Sequence, residues 1–182
     1  MGDRDDTMRD SIRSGQTPAP PPFDVTFEVP LPPKGKERAR TVVHGGKART
    51  YTPSGTTEWQ ARLAMMARES MPTEALEGPI RVDLVCIVHR PNRLRRKCDP
   101  AGLELWACSK PDGDNIAKAV LDSLGAKHGA GFWRDDSQVS DLRVVKVHVE
   151  KDGRPRMIIR IRRPARDPRG EIYAMTGKVP SA

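Results

Sequence analysis

Four aspartates at two junctions of this chain have the type and spacing to do chemistry. Asp112 and Asp114 lie two apart in Lys110-Pro111-Asp112-Gly113-Asp114-Asn115, just ahead of a helical pattern, and Asp135 and Asp136 are adjacent in Arg134-Asp135-Asp136-Ser137-Gln138, just ahead of a strand pattern. If the two junctions meet in the fold, their carboxylates repel one another and tend to take up protons. A divalent cation relieves that conflict, because carboxylate oxygens are the hard ligands such ions prefer. Bound Mg²⁺ can polarise a phosphoryl oxygen and activate a water for in-line attack. The same residues admit a plainer account, with Asp114 as a helix cap, Asp112-Gly113 as a turn and Asp135-Asp136 as a solvated corner. Lys118 follows Asp114 by four residues and Asp122 follows Lys118 by four, so the three share one helix face. That face is either a ladder of exposed ion pairs or one that points Lys118 at the carboxylates, where it would stabilise charge on a phosphate or orient the attacking water. An EF-hand is excluded: counted from Asp112, the fifth, sixth and twelfth positions hold Ile116, Ala117 and Ser123, none of which fits that loop.

The rest of the chain says what such a site would meet. Its 182 residues carry a formal net charge of +8, a balance that favours a polyanionic partner, most simply nucleic acid. The positive charge is concentrated in two loops. Residues 34–49 hold six Lys or Arg against the single acid Glu37, and Arg90, Arg93, Arg95, Arg96 and Lys97 precede the next acid, Asp99. Lys34, Lys36, Arg93, Arg95 and Arg96 are the expected DNA contacts on this charge pattern. The three cysteines, Cys86, Cys98 and Cys108, are an odd number without a secretion signal, which points to a reducing compartment and away from a disulfide framework. No CxxC or HxxxH pair supports a zinc site. No apolar run approaches the ~20 residues that span a bilayer, and Asp6 stands where a myristoylation signal needs Ser or Thr. The expected location is the cytoplasm, away from membranes.

These residues need elements to hold them. Residues 1–22 mix Asp and Arg and end in a proline run, so a disordered N-terminal tail is expected. Phe23, Val25, Phe27 and Val29 alternate with polar residues and predict a strand. The Gly45-Gly46 pair suggests a turn or flexible hairpin within the basic loop. Ser54 is the expected cap of a helix to about residue 70, with Trp59, Leu63, Met66 and Ala67 on one face. Residues 80–88 predict a second strand, apolar on both sides toward its outer end and so central in a sheet. A second helix runs from about Asn115 to Leu124, with Ile116, Val120, Leu121 and Leu124 inward and Gly125 as its C-terminal glycine cap. Residues 139–149 and 157–161 predict two strands joined at Lys151-Asp152-Gly153-Arg154 as an Asp-Gly hairpin. Residues 164–182 show no periodicity and are expected to be a C-terminal tail. The sum is an α+β domain over 23–163, a small mixed β-sheet flanked by two helices in the order β-α-β-α-β-β.

On these residues the chain resembles the RusA family. The resemblance rests on Asp112-Gly113-Asp114-Asn115 with Lys118, Ala119 and Asp122, then Gly131-Phe132-Trp133-Arg134-Asp135-Asp136-Ser137-Gln138-Val139, then Asp141-Leu142-Arg143-Val144-Val145-Lys146. It covers roughly residues 23–163, more loosely in the first half. It implies a homodimeric, Mg²⁺-dependent endonuclease, with Mn²⁺ as a substitute ion, that resolves four-way (Holliday) DNA junctions by paired nicks in recombination and repair. By the same resemblance Asp112, Asp114 and Asp136 take the metal-binding positions and Lys118 that of the catalytic lysine. A phage or prophage origin accords with the family. The chain departs from the family pattern at Pro111, where an arginine is expected, in a longer connection from Leu124 to Phe132, and in an extended loop from Arg90 to Lys110. The rival readings are an endonuclease for flaps or forks built on the same site, and a basic, non-catalytic nucleic-acid-binding protein whose acids only cap helices.

Overall fold

The computed structural model describes residues 23–92, 105–127, 129–150, 153–165 and 168–178. The elements in chain order are β1 (Asp24–Val29), β2 (Arg40–His44), β3 (Lys47–Tyr51), α1 (Ser54–Ala67), β4 (Ile80–Val88), β5 (Leu105–Trp106), α2 (Gly113–Leu124), β6 (Val139–His148), β7 (Arg156–Arg162) and α3 (Arg169–Thr176). Single turns of 3₁₀ helix follow α1, at Arg68–Ser70, and precede β6, at Asp136–Gln138. The fold is α+β, as expected, but richer than β-α-β-α-β-β. A separate hairpin, β2–β3, occupies the basic loop, β5 lies in the long loop, and α3 lies in the stretch read as a tail. The expected N-terminal tail, residues 1–22, lies outside the described residues, as do Arg93, Arg95 and Arg96.

Five strands form one sheet in the order β1-β7-β4-β6-β5. β4 is central, parallel to β6 and antiparallel to β7. This arrangement corrects the hairpin expected between residues 139–149 and 157–161. β6 and β7 lie on opposite sides of β4 and do not pair. The Gly153 N–H donates to the Glu150 carbonyl at 3.1 Å, and Lys151 and Asp152 of the expected Asp-Gly turn lie outside the described residues. The physical reason is that β4 is the most apolar strand and takes the site buried from both sides. Its residues 86–88 are buried whichever face they point to. The β4–α2–β6 connection is the long crossover that a parallel pair requires.

α1 and α2 cover one face of the sheet. Trp59, Leu63, Ala64 and Ala67 of α1 and Ile116, Ala117, Val120 and Leu124 of α2 join Val82, Leu84, Met157, Ile159 and Ile161 in one apolar core. Phe132, fully buried, stacks on Phe27 with ring centroids 5.8 Å apart. Deleting such a ring typically costs about 3–5 kcal/mol. Two local expectations are corrected. Met66 is exposed, and Ala64 takes the inward position instead. Ser54 is the first residue of α1, whose N-cap is Pro53, and no side chain caps that end. Cys86 is buried in β4, and burial pushes its thiol up to about 11. On the opposite sheet face Arg81 pairs with Asp83, with Asp141 at 2.9 Å, and with Glu171 at 3.0 Å, which ties α3 to the sheet.

Candidate active site along helix α2

α2 carries the site residues because its two faces differ. Ile116, Ala117, Ala119, Val120, Ser123 and Leu124 are buried, which leaves Asp114, Lys118 and Asp122 on the side toward solvent. The chain reaches the start of α2 along β6. The Ala107 N–H donates to the Lys146 carbonyl at 3.0 Å, and the Lys146 ammonium donates to the carbonyls of Ser109 and Pro111. Lys146 thereby fixes the segment that delivers Asp112. Asp112 is the extended N-cap residue of α2, and its side chain makes no capping hydrogen bond. Asp114, in the first turn, also caps nothing; its nearest cation is Lys118, 3.9 Å away and one turn on. Asp114 is therefore not the helix cap of the plainer account, and Asp112 holds the N-cap position without a side-chain bond. Both are exposed at a helix start, where free N–H groups and the helix dipole favour anions such as phosphate.

Asp122, one further turn along, is engaged elsewhere. It accepts from Lys36 at 2.7 Å and from the Gln60 amide at 3.1 Å. Of the two lysines expected to contact DNA, Lys36 is therefore paired with Asp122, and Lys34 with Glu37 at 3.1 Å. Both lie in the loop that lines one shallow pocket with Pro111, Asp112 and Asn115, and the Lys36 N–H donates to the Asn115 carbonyl at 3.0 Å. The other expected contacts, Arg93, Arg95 and Arg96, lie outside the described residues.

Asp136 sits at the other end of α2. The connection after the helix folds back on it: the N–H groups of Gly131 and Phe132 both donate to the Leu124 carbonyl, at 2.9 and 2.8 Å. This places Trp133, fully buried, against the helix end. Its indole N–H donates to Asp136 Oδ1 at 2.8 Å. Gly125 is a glycine for this reason and not as a left-handed cap. Its backbone is extended, at φ −66° and ψ 158°, and a Cβ there would lie 3.2 Å from both Asp136 Oδ1 and Trp133 Nε1. Asp135 caps the turn that carries Asp136, and hydrogen bonds from the Ser137 hydroxyl and N–H hold its carboxyl below the usual range. Gln138 closes the capping box, accepting from the N–H groups of Arg134 and Asp135 and donating to the carbonyls of Leu76 and Gly78. The positioning roles of Trp133 and Gln138 were not assigned from sequence, although both lie in the motif that carries the resemblance.

The two acidic junctions do not meet within one chain. Asp112 and Asp114 stand at the start of α2 and Asp136 beside Gly125 at its end; thirteen residues of rise, at ~1.5 Å each, separate the two by roughly 20 Å. Oxygens on one Mg²⁺ each lie ~2.1 Å from it. Among the described residues no three His, Cys, Asp or Glu are placed to hold a metal ion. A single chain therefore does not fit a three-carboxylate cation site. Also among the described residues, no helix is long and apolar enough to cross a membrane.

The sequence matches known proteins over most of this region. The family model for Endodeoxyribonuclease RusA matches residues 30–162. Crossover junction endodeoxyribonuclease RusA of Escherichia coli (strain K12) is 31% identical over 134 residues, covering 74% of this chain and 92% of that protein. Crossover junction endodeoxyribonuclease rusA of Enterobacteria phage 82 is 32% identical over 131 residues, covering 72% of this chain and 89% of that protein. The uncharacterized protein YqaN of Bacillus subtilis (strain 168) is 31% identical over 145 residues, covering 76% of this chain and 95% of YqaN. The matched span contains both acidic junctions, the helix between them and every strand of the five-stranded sheet except β1, so this chain belongs to the endodeoxyribonuclease RusA family.

Proposed function

We propose that the chain is a structure-specific endodeoxyribonuclease that resolves four-way DNA junctions by paired nicks, working as a homodimer with a divalent cation, Mg²⁺ or in its place Mn²⁺. The observation that carries this reading is the pair Asp112 and Asp114, exposed and uncapped at the start of α2, with Lys118 one turn on. Exposed carboxylates that cap no backbone N–H at a helix start, in a chain of net charge +8, suit a site that receives a phosphodiester together with a cation. In this reading Asp112, Asp114 and Asp136 are the cation ligands. Lys118 sits where its ammonium can meet charge developing on the phosphate. Trp133, Asp135 and Gln138 set the position of Asp136.

The separation along α2 requires Asp136 to come from a second chain. In a two-fold dimer the helix ends of the two protomers exchange, and each complete site takes Asp112 and Asp114 from one protomer and Asp136 from its partner. Two such sites related by a two-fold axis match the two symmetry-related nicks of a junction, and closed two-fold dimers are the commonest oligomers. The test is a cleavage assay on static four-way junctions, flaps, forks and linear duplex, with and without Mg²⁺. Cutting confined to four-way junctions and dependent on the cation is expected. Preferential cutting of flaps or forks would reassign the substrate, and binding without cutting in Mg²⁺ or Mn²⁺ would make the protein a non-catalytic binder.

A further inference from the structure

The β2–β3 hairpin stands apart from the rest of the molecule. It forms its own two-stranded sheet, and every residue of both strands is exposed. Gly45 and Gly46 make its two-residue loop with φ of +57° and +76°, the left-handed pair that matches the twist of a tight hairpin. A two-stranded ribbon in water is marginally stable by itself, so its surface is expected to be used.

The ribbon is two-sided. Directly paired residues share a face, and the register pairs Arg40 with Tyr51, Val42 with Arg49, and His44 with Lys47 on one side. The other side holds Thr41 with Thr50, whose hydroxyls lie 2.9 Å apart, and Val43 with Ala48. Every Lys, Arg and His of the two strands is therefore on one face, and the opposite face carries no charge. A solvated hairpin needs no such segregation, since charges on either side would keep it in water.

The feet of the ribbon are anchored at the candidate active site. One foot is the Lys34–Glu37 stretch, tied by the Lys36 N–H to Asn115 beside Asp112 and Asp114. The other runs into α1, where Gly55 comes so close that a Cβ there would lie 2.9 Å from Lys34 Nζ. Five residues at ~3.3 Å each give the ribbon a reach of roughly 17 Å, enough to pass several phosphates.

The geometry points to a DNA-gripping arm: the cationic face of β2–β3, through Arg40, Lys47 and Arg49, lies along the phosphate backbone of a DNA arm next to the bond presented to Asp112 and Asp114. This rests on the proposed nuclease function and adds the element that holds the substrate there. Phosphate contacts position a duplex without reading its sequence, so the arm supplies affinity and not sequence preference.

The test uses the full chain and a static four-way junction, with binding measured in EDTA over a range of salt. In R40A/K47A/R49A the slope of log K against log salt should fall by about 2.7, since each phosphate contact contributes about 0.9, and affinity at physiological salt should drop roughly tenfold or more. A second variant, K47A/A48K/R49A/T50R, keeps the net charge but moves two cations to the uncharged face. It should also bind more weakly than wild type, whereas wild-type binding by this variant would overturn the inference by showing that only total charge matters. An unchanged slope in the triple variant overturns it as well. So does a loss of dimer mass in either variant with DNA binding intact, because the ribbon would then grip a second protomer. A wild-type protein that neither binds nor cuts the junction sinks the proposed function separately, and the arm is then judged by the same variants on linear duplex.

Discussion

The indole N–H of Trp133 donates to Asp136 Oδ1 at 2.8 Å, directly over the backbone of Gly125. One buried side chain thus fixes the orientation of an exposed carboxylate and leaves its second oxygen without a hydrogen bond among the described residues. Trp133→Phe keeps most of the apolar surface but removes the donor. It should leave junction binding near wild type and lower cleavage about 10- to 100-fold, the usual cost of losing a group that orients a metal ligand. Side-by-side binding and single-turnover cleavage would check this. Wild-type cleavage by the variant would show that the hydrogen bond serves only the fold. Gly125→Ala should act in the same direction, because its methyl group would press on the same pair.

Asp114→Asn keeps the shape of the side chain and removes its charge. It should abolish cutting with either Mg²⁺ or Mn²⁺ while binding to the junction is retained or slightly strengthened, since one negative charge near phosphate is gone. Retained cutting would remove Asp114 from the proposed site.

Much of this was legible in the sequence, for definite reasons. β1, β4 and α2 follow from periodicity, because each buries one face and exposes or partly exposes the other. The central place of β4 follows from its apolar outer end. The order β7-β4-β6 was not legible. An Asp-Gly turn reports local chain reversal and says nothing about which strand fills the space beside it. Gly125 was misread for a similar reason: glycine after a helix usually means a left-handed cap, but here it makes room for Trp133 and Asp136. The turn of the β2–β3 ribbon was legible in Gly45-Gly46, but its strands were not, because none of their residues is buried and they leave no hydrophobic pattern. In the candidate site the helix face shared by Asp114, Lys118 and Asp122 was legible, and the distance between the two acidic junctions along α2 was not, because spacing in sequence does not show which junctions meet.

Asp135 gives the site a pH dependence with a definite sign. Hydrogen bonds from Ser137 hold its carboxyl below the ordinary value of 3.8. A depressed folded pKa contributes stability that is fully present above the unfolded value and lost as the pH falls through the folded one. Asp135→Ala should therefore melt below wild type at neutral pH, and the difference in Tm should narrow as the pH falls from 3.8 through the lowered folded value. A difference that stays constant through that range would show that the cap does not depend on ionised Asp135. Because the capped turn carries Asp136, the same variant should also cleave more slowly at neutral pH.

The exchange of Asp136 between protomers can be tested by mixing two inactive variants. Homodimers of Asp114→Asn lack that ligand in both sites, and homodimers of Asp136→Asn lack the other. In a mixed dimer with shared sites, one site receives both amides. The other receives Asp114 from one protomer and Asp136 from its partner, and is complete. Denaturing and refolding an equimolar mixture should yield about half mixed dimers by random pairing, each cutting one strand of a junction and not two. The expected product is a singly nicked junction, with no activity in either variant alone. If each site were built within a single chain, every site in the mixture would carry one defect, and the mixture would be as dead as its components. Light scattering decides whether there is a dimer to mix. A mass of one chain that persists on the junction would remove the exchange, and with it the only arrangement that brings Asp112, Asp114 and Asp136 to one ion.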